Sequence, residues 1–177
     1  MSSIKSYELN DCVFMNCKAY FSSNKKIKKS NILVVDGAIK DLNYKGSSDK
    51  YKVIDCEGKI LCPSFLDLRA HFGEPGLEDT ESLESGARAA LAGGYTRVCV
   101  LPNTNPVLDS LESIESLIYK SKDLMIDVLP IGAITKGLNG VELSEIGLMV
   151  NKGVVAISDG HKTVKNSQII RHAMEYS

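Results

Sequence analysis

"SLESGARAALAGGYTRVCVLPN", residues 82–103, decides the fold. Leu83, Ala87, Ala90 and Leu91 fall at helical spacing on one face, which predicts an amphipathic helix packed on a core. Gly93-Gly94 supplies a stop, because glycine readily takes the left-handed conformation that closes a helix. The run that follows, "TRVCVLP", is short, apolar and partly β-branched, as a buried strand is. Helix, stop and buried strand in that order form one side of a crossover between parallel strands.

The same alternation extends in both directions. Strand-like "SFLDLRAHF", "TRVCVLPN", "MIDVLPIGAIT" and "VVAISD" alternate with helix-like "SLESGARAALAGG", "DSLESIESLIYKSK", "GVELSEIGLMVNKG" and "NSQIIRHAMEYS". In the second helix, Leu111, Ile114, Leu117 and Ile118 are expected on one face. Each strand begins ~30 residues after the last, the period of a βα unit. The fold class is therefore α/β, with the first four βα units of a (β/α)8 TIM barrel over residues 63–177. A closed barrel needs eight strands and typically ~250 residues, so this barrel is expected to be incomplete and to need its other half or a partner.

Residues 1–62 read as a small β-subdomain. "NILVVDGAIKDL" places Asp36-Gly37 between apolar runs, a hairpin signal, and "KVIDCEGKIL" reads as a second hairpin turning near Glu57-Gly58. "NKKIKK", residues 24–29, reads as a solvated loop. The 21 basic and 22 acidic residues leave a formal charge of -1 and no global field to draw nucleic acid or an anionic membrane. The N-terminal "MSSIKSYELND" lacks the apolar core of a signal peptide, and no apolar run reaches the ~20 residues that span a bilayer. A cytoplasmic protein is expected, with its five cysteines (Cys12, Cys17, Cys56, Cys62, Cys99) reduced and buried in apolar runs.

In a parallel barrel, functional groups gather at the C-terminal strand ends, where "DLRAHFGEPG", "LPNTNP", "GAIT" and "ISDGH" fall. Asp67, Arg69 and His71 are spaced by two and so share one face of a strand. With Asp or His at all three positions this would be a divalent-metal site, but a guanidinium has no lone pair to give. Asp67 reads as a metal ligand or as a group that orders its strand end. His71 is a ligand or a rim histidine, and Asn103 contacts a ligand or builds an Asx-turn. His161 reads as a solvated loop residue, His172 as a surface residue of the last helix, and Glu74-Pro75-Gly76 as a rigid turn without chemistry.

"DLRAHFGEPG", "ESGARAALAGGYTRVCVLPNTNPVLD" and "GAITKGLNGVELSEIGLMVNKGVVAISDG" together resemble dihydroorotases of the cyclic amidohydrolase superfamily. Those proteins carry a strand of the form Asp-x-His-x-His-x-Arg followed by Glu-Pro-Gly. The resemblance implies an amidohydrolase-type barrel and a zinc cofactor held at the positions of Asp67, His71 and Asp159. It implies substrate contact through Asn103, and reversible cyclisation of N-carbamoyl-L-aspartate to dihydroorotate in pyrimidine biosynthesis. Arg69 stands where the first ligand histidine is expected, and Gly73 where an arginine clamps the substrate carboxylate. The remaining ligands and the catalytic aspartate would lie beyond Ser177, so no catalytic residue is expected within this chain. A fixed positive charge ~4 Å from a divalent cation is repelled by roughly 8 kcal/mol at an effective dielectric of ~20. Loss of the arginine removes a contact worth about 1.5–3 kcal/mol.

Three readings follow from the resemblance. The first is an enzyme acting on that small-molecule pair. The second is a catalytically inactive scaffold subunit that forms a homo-oligomer or associates with aspartate transcarbamoylase. The third is an allantoinase- or dihydropyrimidinase-like hydrolase.

Overall fold

The computed structural model describes residues 11–177; the first ten of the eleven residues read above for a leader lie outside them. The chain divides into two compact units between Pro63 and Ser64.

The first unit is one five-stranded sheet. Its strands are β1 (Cys12–Phe21), β2 (Lys26–Val35), β3 (Ala38–Asp41), β4 (Lys52–Asp55) and β5 (Ile60–Leu61). β2 and β3 form the antiparallel hairpin that Asp36-Gly37 predicts, with both turn residues at positive φ (51° and 71°). That pair of conformations matches the twist of the flanking strands. Cys17, Ala19 and Ile32 form the core of this unit, with Phe14, Phe21, Val34, Cys56 and Leu61 packed on them.

Three readings are corrected here. "KVIDCEGKIL" does turn at Glu57 (φ 50°) and Gly58 (φ 77°), yet its arms do not pair with each other. β4 and β5 both run parallel to β1 instead. The ten-residue β1 is long enough to template both, and its bulge at Asn16 accepts the N–H of Gly58 at 2.8 Å, so the turn follows the bulge. "NKKIKK" is solvated, but from Lys26 onward it is strand β2, held by a register that places Lys28 opposite Ala19 and Lys29 opposite Lys18. Charged side chains suit an exposed strand as well as a loop. Of the cysteines, Cys12, Cys17 and Cys99 are buried and Cys56 is half-buried, whereas Cys62 is exposed because it follows a two-residue strand and lies outside the ladder.

The second unit is the parallel half-barrel. β6 (Phe65–Ala70), β7 (Tyr95–Val100), β8 (Asp127–Gly132) and β9 (Ala156–Ile157) form one sheet in chain order. Between them lie α1 (Leu83–Ala92), α2 (Leu111–Ser121) and α3 (Ile146–Asn151), and α4 (Ser167–Tyr176) follows β9. Strand starts at 65, 95, 127 and 156 reproduce the period read from the sequence. α1 and α2 begin on Ser82 and Ser110, each closing a reciprocal capping box with the serine three residues on.

Period-two alternation separates two cores. Val98 and Val100 of β7 face the helices, where they meet Leu83, Ala87, Ile114, Leu117, Ile146 and Met149. Cys99, Leu101 and Ile131 form a second cluster with Leu129 on the other side of the sheet. In α2 the buried stripe is Ser113, Ile114, Leu117 and Ser121, so Ile118 falls on its exposed margin rather than in it. Among the described residues no helix is long and apolar enough to cross a membrane.

The half-barrel leaves Phe65, Leu66 and Leu68 exposed on edge strand β6, and Val155 exposed beside edge strand β9. Apolar groups on an open edge template pairing with another chain. The purified 177-residue chain is expected to self-associate, its sedimentation coefficient rising with concentration. Leu68, 70% exposed, is the most open of these side chains. Leu68→Lys should weaken association by roughly fivefold, the scale of one charge set on an edge strand. A monomer at every concentration would show that the edges do not drive contact.

Candidate functional site

The site is the mouth formed by the C-terminal ends of β6 to β9. Its orientation starts with Phe72, which is buried in the helix-side core against Gly86 of α1, where an added Cβ would come within 2.7 Å of the ring. Its neighbour His71 is exposed. His71 Nε2 lies 3.4 Å from the carbonyl oxygen of Asn103, on the loop after β7. Asn103 Oδ1 is buried and has no hydrogen-bond partner among the described residues; it lies beside Gly160 of the loop after β9.

Arg69 reaches across the mouth to that same loop. Its Nη2 donates to the carbonyl of Gly160 at 3.3 Å and lies 3.5 Å from Nδ1 of His161. His161 is therefore exposed, as a loop histidine is expected to be, and also takes part in the mouth. Its signal in the sequence was its position directly after "ISDG" at a strand end. His172, on α4, is exposed.

Both carboxylates accept hydrogen bonds from the protein. Asp67 Oδ1 accepts the backbone N–H of Arg69 at 2.8 Å, so it orders its own strand end. Burial first, and then the charge of Asp67, push the Cys99 thiol upward, which keeps that buried cysteine protonated and inert. Asp159 is buried and turned into the loop after β8. Its Oδ1 accepts the N–H groups of Ile134 (2.8 Å) and Thr135 (3.0 Å), and its Oδ2 accepts the Thr135 hydroxyl at 2.5 Å. Thr135, fully buried, also accepts the N–H of Gly140 at 2.9 Å. Sequence reading passed over Thr135, although "GAIT" set a hydroxyl at a strand end where a buried carboxylate could use it.

The loop after β6 is closed against itself. An added Cβ at Gly73 would lie 2.4 Å from the Leu77 carbonyl oxygen and 2.8 Å from that of Glu81, so no larger side chain fits without moving backbone. Glu74 bridges two helices: Oε2 accepts the N–H of Leu83 at the start of α1, and Oε1 pairs with Lys120 of α2 at 2.9 Å. That bond holds the Lys120 ammonium above its usual range. Glu74-Pro75-Gly76 is thus structural, with Gly76 at φ 91° and the Pro75 carbonyl accepting the N–H of Asn105 at 2.8 Å.

These residues do not fit a zinc ion. Among the described residues no three His, Cys, Asp or Glu side chains are grouped to hold a metal. Arg69 offers donors where an imidazole would offer a lone pair, and Asp159 gives three of its roughly four acceptor positions to protein donors. The mouth brings Arg69, His71, Asn103 and His161 together, while Asp67 and Asp159 accept hydrogen bonds from the protein.

Residues 58–177 match the family described as Dihydro-orotase-like. The chain is 42% identical over 165 residues to a dihydroorotase of Caldicellulosiruptor saccharolyticus, covering 92% of this chain and 38% of that protein. It is 44% identical over 149 residues to a dihydroorotase of Solibacter usitatus, covering 84% and 35%. The chain therefore spans little more than a third of the curated relatives it matches. Among solved structures it is similar to the L-hydantoinase of Arthrobacter aurescens (TM-score 0.71, 23% identity, 84% of this chain and 32% of that one). It is also similar to a dihydroorotase (TM-score 0.58, 11% identity, 84% and 42%). At these identities the likeness to solved structures bears on the fold alone.

Asp159→Ala separates the structural role of this carboxylate from a metal role. It leaves three donors at one buried spot unmet, at about 1–3 kcal/mol each less relaxation, so unfolding in urea should show a loss of roughly 3–5 kcal/mol. Zinc content by elemental analysis should match the parent, well below one per chain. A fall from a stoichiometric parent value would establish Asp159 as a ligand.

Proposed function

The chain belongs to the dihydro-orotase-like family, and from that premise we propose that it serves the dihydroorotase reaction of pyrimidine biosynthesis. In that reaction the ureido nitrogen of N-carbamoyl-L-aspartate attacks a carboxyl carbon, the ring amide bond forms and water leaves; hydrolysis of dihydroorotate is the reverse. The observation that carries the reading is the extent of the match, which runs from residue 58 through α4 and takes in every residue of the mouth. Asn103 supports it as a substrate contact, since an amide on the loop after β7 can donate to a ligand carboxylate. Five free thiols fit a reducing, cytoplasmic setting.

Two forms of this role differ in where the chemistry lies. A self-sufficient hydrolase needs groups that polarise the ring carbonyl and move protons, and the described mouth offers a guanidinium and two imidazoles in place of a ligand cluster. Arg69 thus favours the second form, a dihydroorotase-like subunit that binds the reactants and acts as a scaffold, by itself as an oligomer or with aspartate transcarbamoylase. The hydantoinase likeness does not favour the allantoinase or dihydropyrimidinase alternative, because it concerns the fold.

Turnover decides between the forms. The purified chain, supplied with zinc and dihydroorotate, is expected to release no N-carbamoyl-L-aspartate above background and to retain well under one zinc. Turnover with stoichiometric zinc would establish the enzyme form. Retention of aspartate transcarbamoylase on the immobilised chain would support the scaffold form.

A further inference from the structure

We propose that the first unit carries a binding site for a small anion with two or more phosphate groups, in the lysine-lined cavity between β1, β2 and the chain that follows β3. The inference does not rest on the proposed reaction and uses none of the residues of the mouth.

The cavity has a volume of about 530 Å³, and Lys18, Lys29, Lys45, Asn31, Asn43 and Tyr44 are among the residues that line it. That is the size of a small-molecule site. Strand register brings two of the lysines together. Lys18 of β1 stands directly opposite Lys29 of β2 in an antiparallel pair, so both side chains leave the same face of the sheet. Cys17 and Ala19, on either side of Lys18, go to the other face and the core of the unit. Like charges at directly opposed positions destabilise a sheet, and an opposite charge placed between them removes that cost.

The protein does not place one there. Lys18, Lys29 and Lys45 have no ion-pair partner among the described residues. The carboxylates bonded to cavity residues are Asp55, which accepts the Asn16 side chain at 3.1 Å, and Asp41, which accepts the N–H of Asn43 at 2.8 Å. Both keep their charge, and the three lysines still outnumber them. The excess extends over the unit, since residues 11–63 hold ten lysines and no arginine against six carboxylates. An anion is therefore attracted from outside the cavity as well.

The donors select the ligand. Three ammonium groups on flexible stems are compact point charges with three donors each, which suits the many oxygens of linked phosphates; a single carboxylate would answer only one of them. Asn31 and Asn43 add amide donors. Asn31 spends its side-chain oxygen on the Asn16 N–H at 3.1 Å, and neither side-chain amide nitrogen has a partner among the described residues. Tyr44 supplies a fixed wall. Its N–H donates to the Asn31 carbonyl at 2.8 Å, its hydroxyl to the Ser47 carbonyl at 2.7 Å, and its ring meets Tyr51 edge-on with 6.1 Å between centroids. With that side preformed, binding has mainly the lysine stems to order.

The test is calorimetric titration of the 177-residue chain with tripolyphosphate, in metal-free buffer at about 0.15 M salt, where exposed charges more than ~8 Å apart are largely screened. Lys26 and Lys28 stand opposite Phe21 and Ala19 and so leave the other face, which makes Lys26→Gln/Lys28→Gln a control equal in net charge to Lys18→Gln/Lys29→Gln. Saturable binding of one tripolyphosphate per chain is expected, with the control within about twofold of the parent, as screening of distant charges allows. The cavity variant should bind at least about tenfold more weakly, in keeping with loss of two charge-assisted contacts. Succinate should also bind the parent at least about tenfold more weakly, because it carries fewer charges and oxygens. Urea unfolding checks the like-charge argument separately. Tripolyphosphate should raise the midpoint of the parent, whereas the cavity variant should be at least as stable as the unliganded parent and gain nothing from the ligand. Absence of saturable binding to the parent would overturn the proposal without recourse to any variant. Equal weakening in the two double variants would overturn it in favour of diffuse attraction to a basic surface, and succinate binding as tightly as tripolyphosphate would overturn the assignment to phosphates.

Discussion

A parallel strand cannot turn back on its neighbour in two residues; it has to be followed by a crossover that returns the chain to the starting edge. That constraint governs the second unit. It imposes the spacing of about thirty residues, the helices that cover one face, and the alternation that sends Val98 and Val100 to the helices and Cys99 and Leu101 away from them. It also collects every strand's C-terminal end at one mouth, so Arg69, Asn103 and His161, far apart in sequence, meet without any contact having been made for that purpose. The same geometry leaves two edges open, one on β6 and one on β9.

The two departures in "DLRAHFGEPG" read better as a pair than as two separate losses. Relative to the pattern it resembles, one guanidinium is missing at Gly73 and one is gained at Arg69. The number of permanent cations near the mouth is unchanged while the ability to hold a metal is not. Glycine at position 73 lets the loop fold onto the Leu77 and Glu81 carbonyls, and arginine at position 69 spans to Gly160. A guanidinium on the strand carries the same kind of charge as one on the loop, and it repels a divalent cation placed beside it.

What the sequence revealed and what it hid follow one physical division. Local rules were legible: the Asp36-Gly37 turn, the Gly93-Gly94 stop and the helical stripes depend on residues within a few positions of one another. The misread elements depend on distant partners. "KVIDCEGKIL" has the turn of a hairpin, and only the presence of a long β1 makes both arms pair with that strand instead. "NKKIKK" is polar enough for a loop, and its strand character comes from the register with Lys18 and Ala19. At the site, spacing placed Asp67, Arg69 and His71 together, but which donors a carboxylate answers to is decided by neighbouring backbone. For Asp159 those donors lie 24 and 25 residues earlier, on Thr135 and Ile134.

That hidden network bears on how the mouth stays formed. In a metal-holding site, ligand bonds contribute folding free energy and fix the loops around them. Here protein groups also tie the loops: Asp159 on Ile134 and Thr135, Thr135 on Gly140, Asp109 on the N–H of Gly137 at 2.7 Å, and the Ser144 hydroxyl on the Ala133 carbonyl at 2.5 Å. Several of these bonds are buried, where a hydrogen bond to a charged group is worth more than in water. Strand ends tied in this way keep their positions whether or not a cation lies between them. Asp159 contributes to that frame through three hydrogen bonds of its own, two to backbone N–H groups and one to the Thr135 hydroxyl.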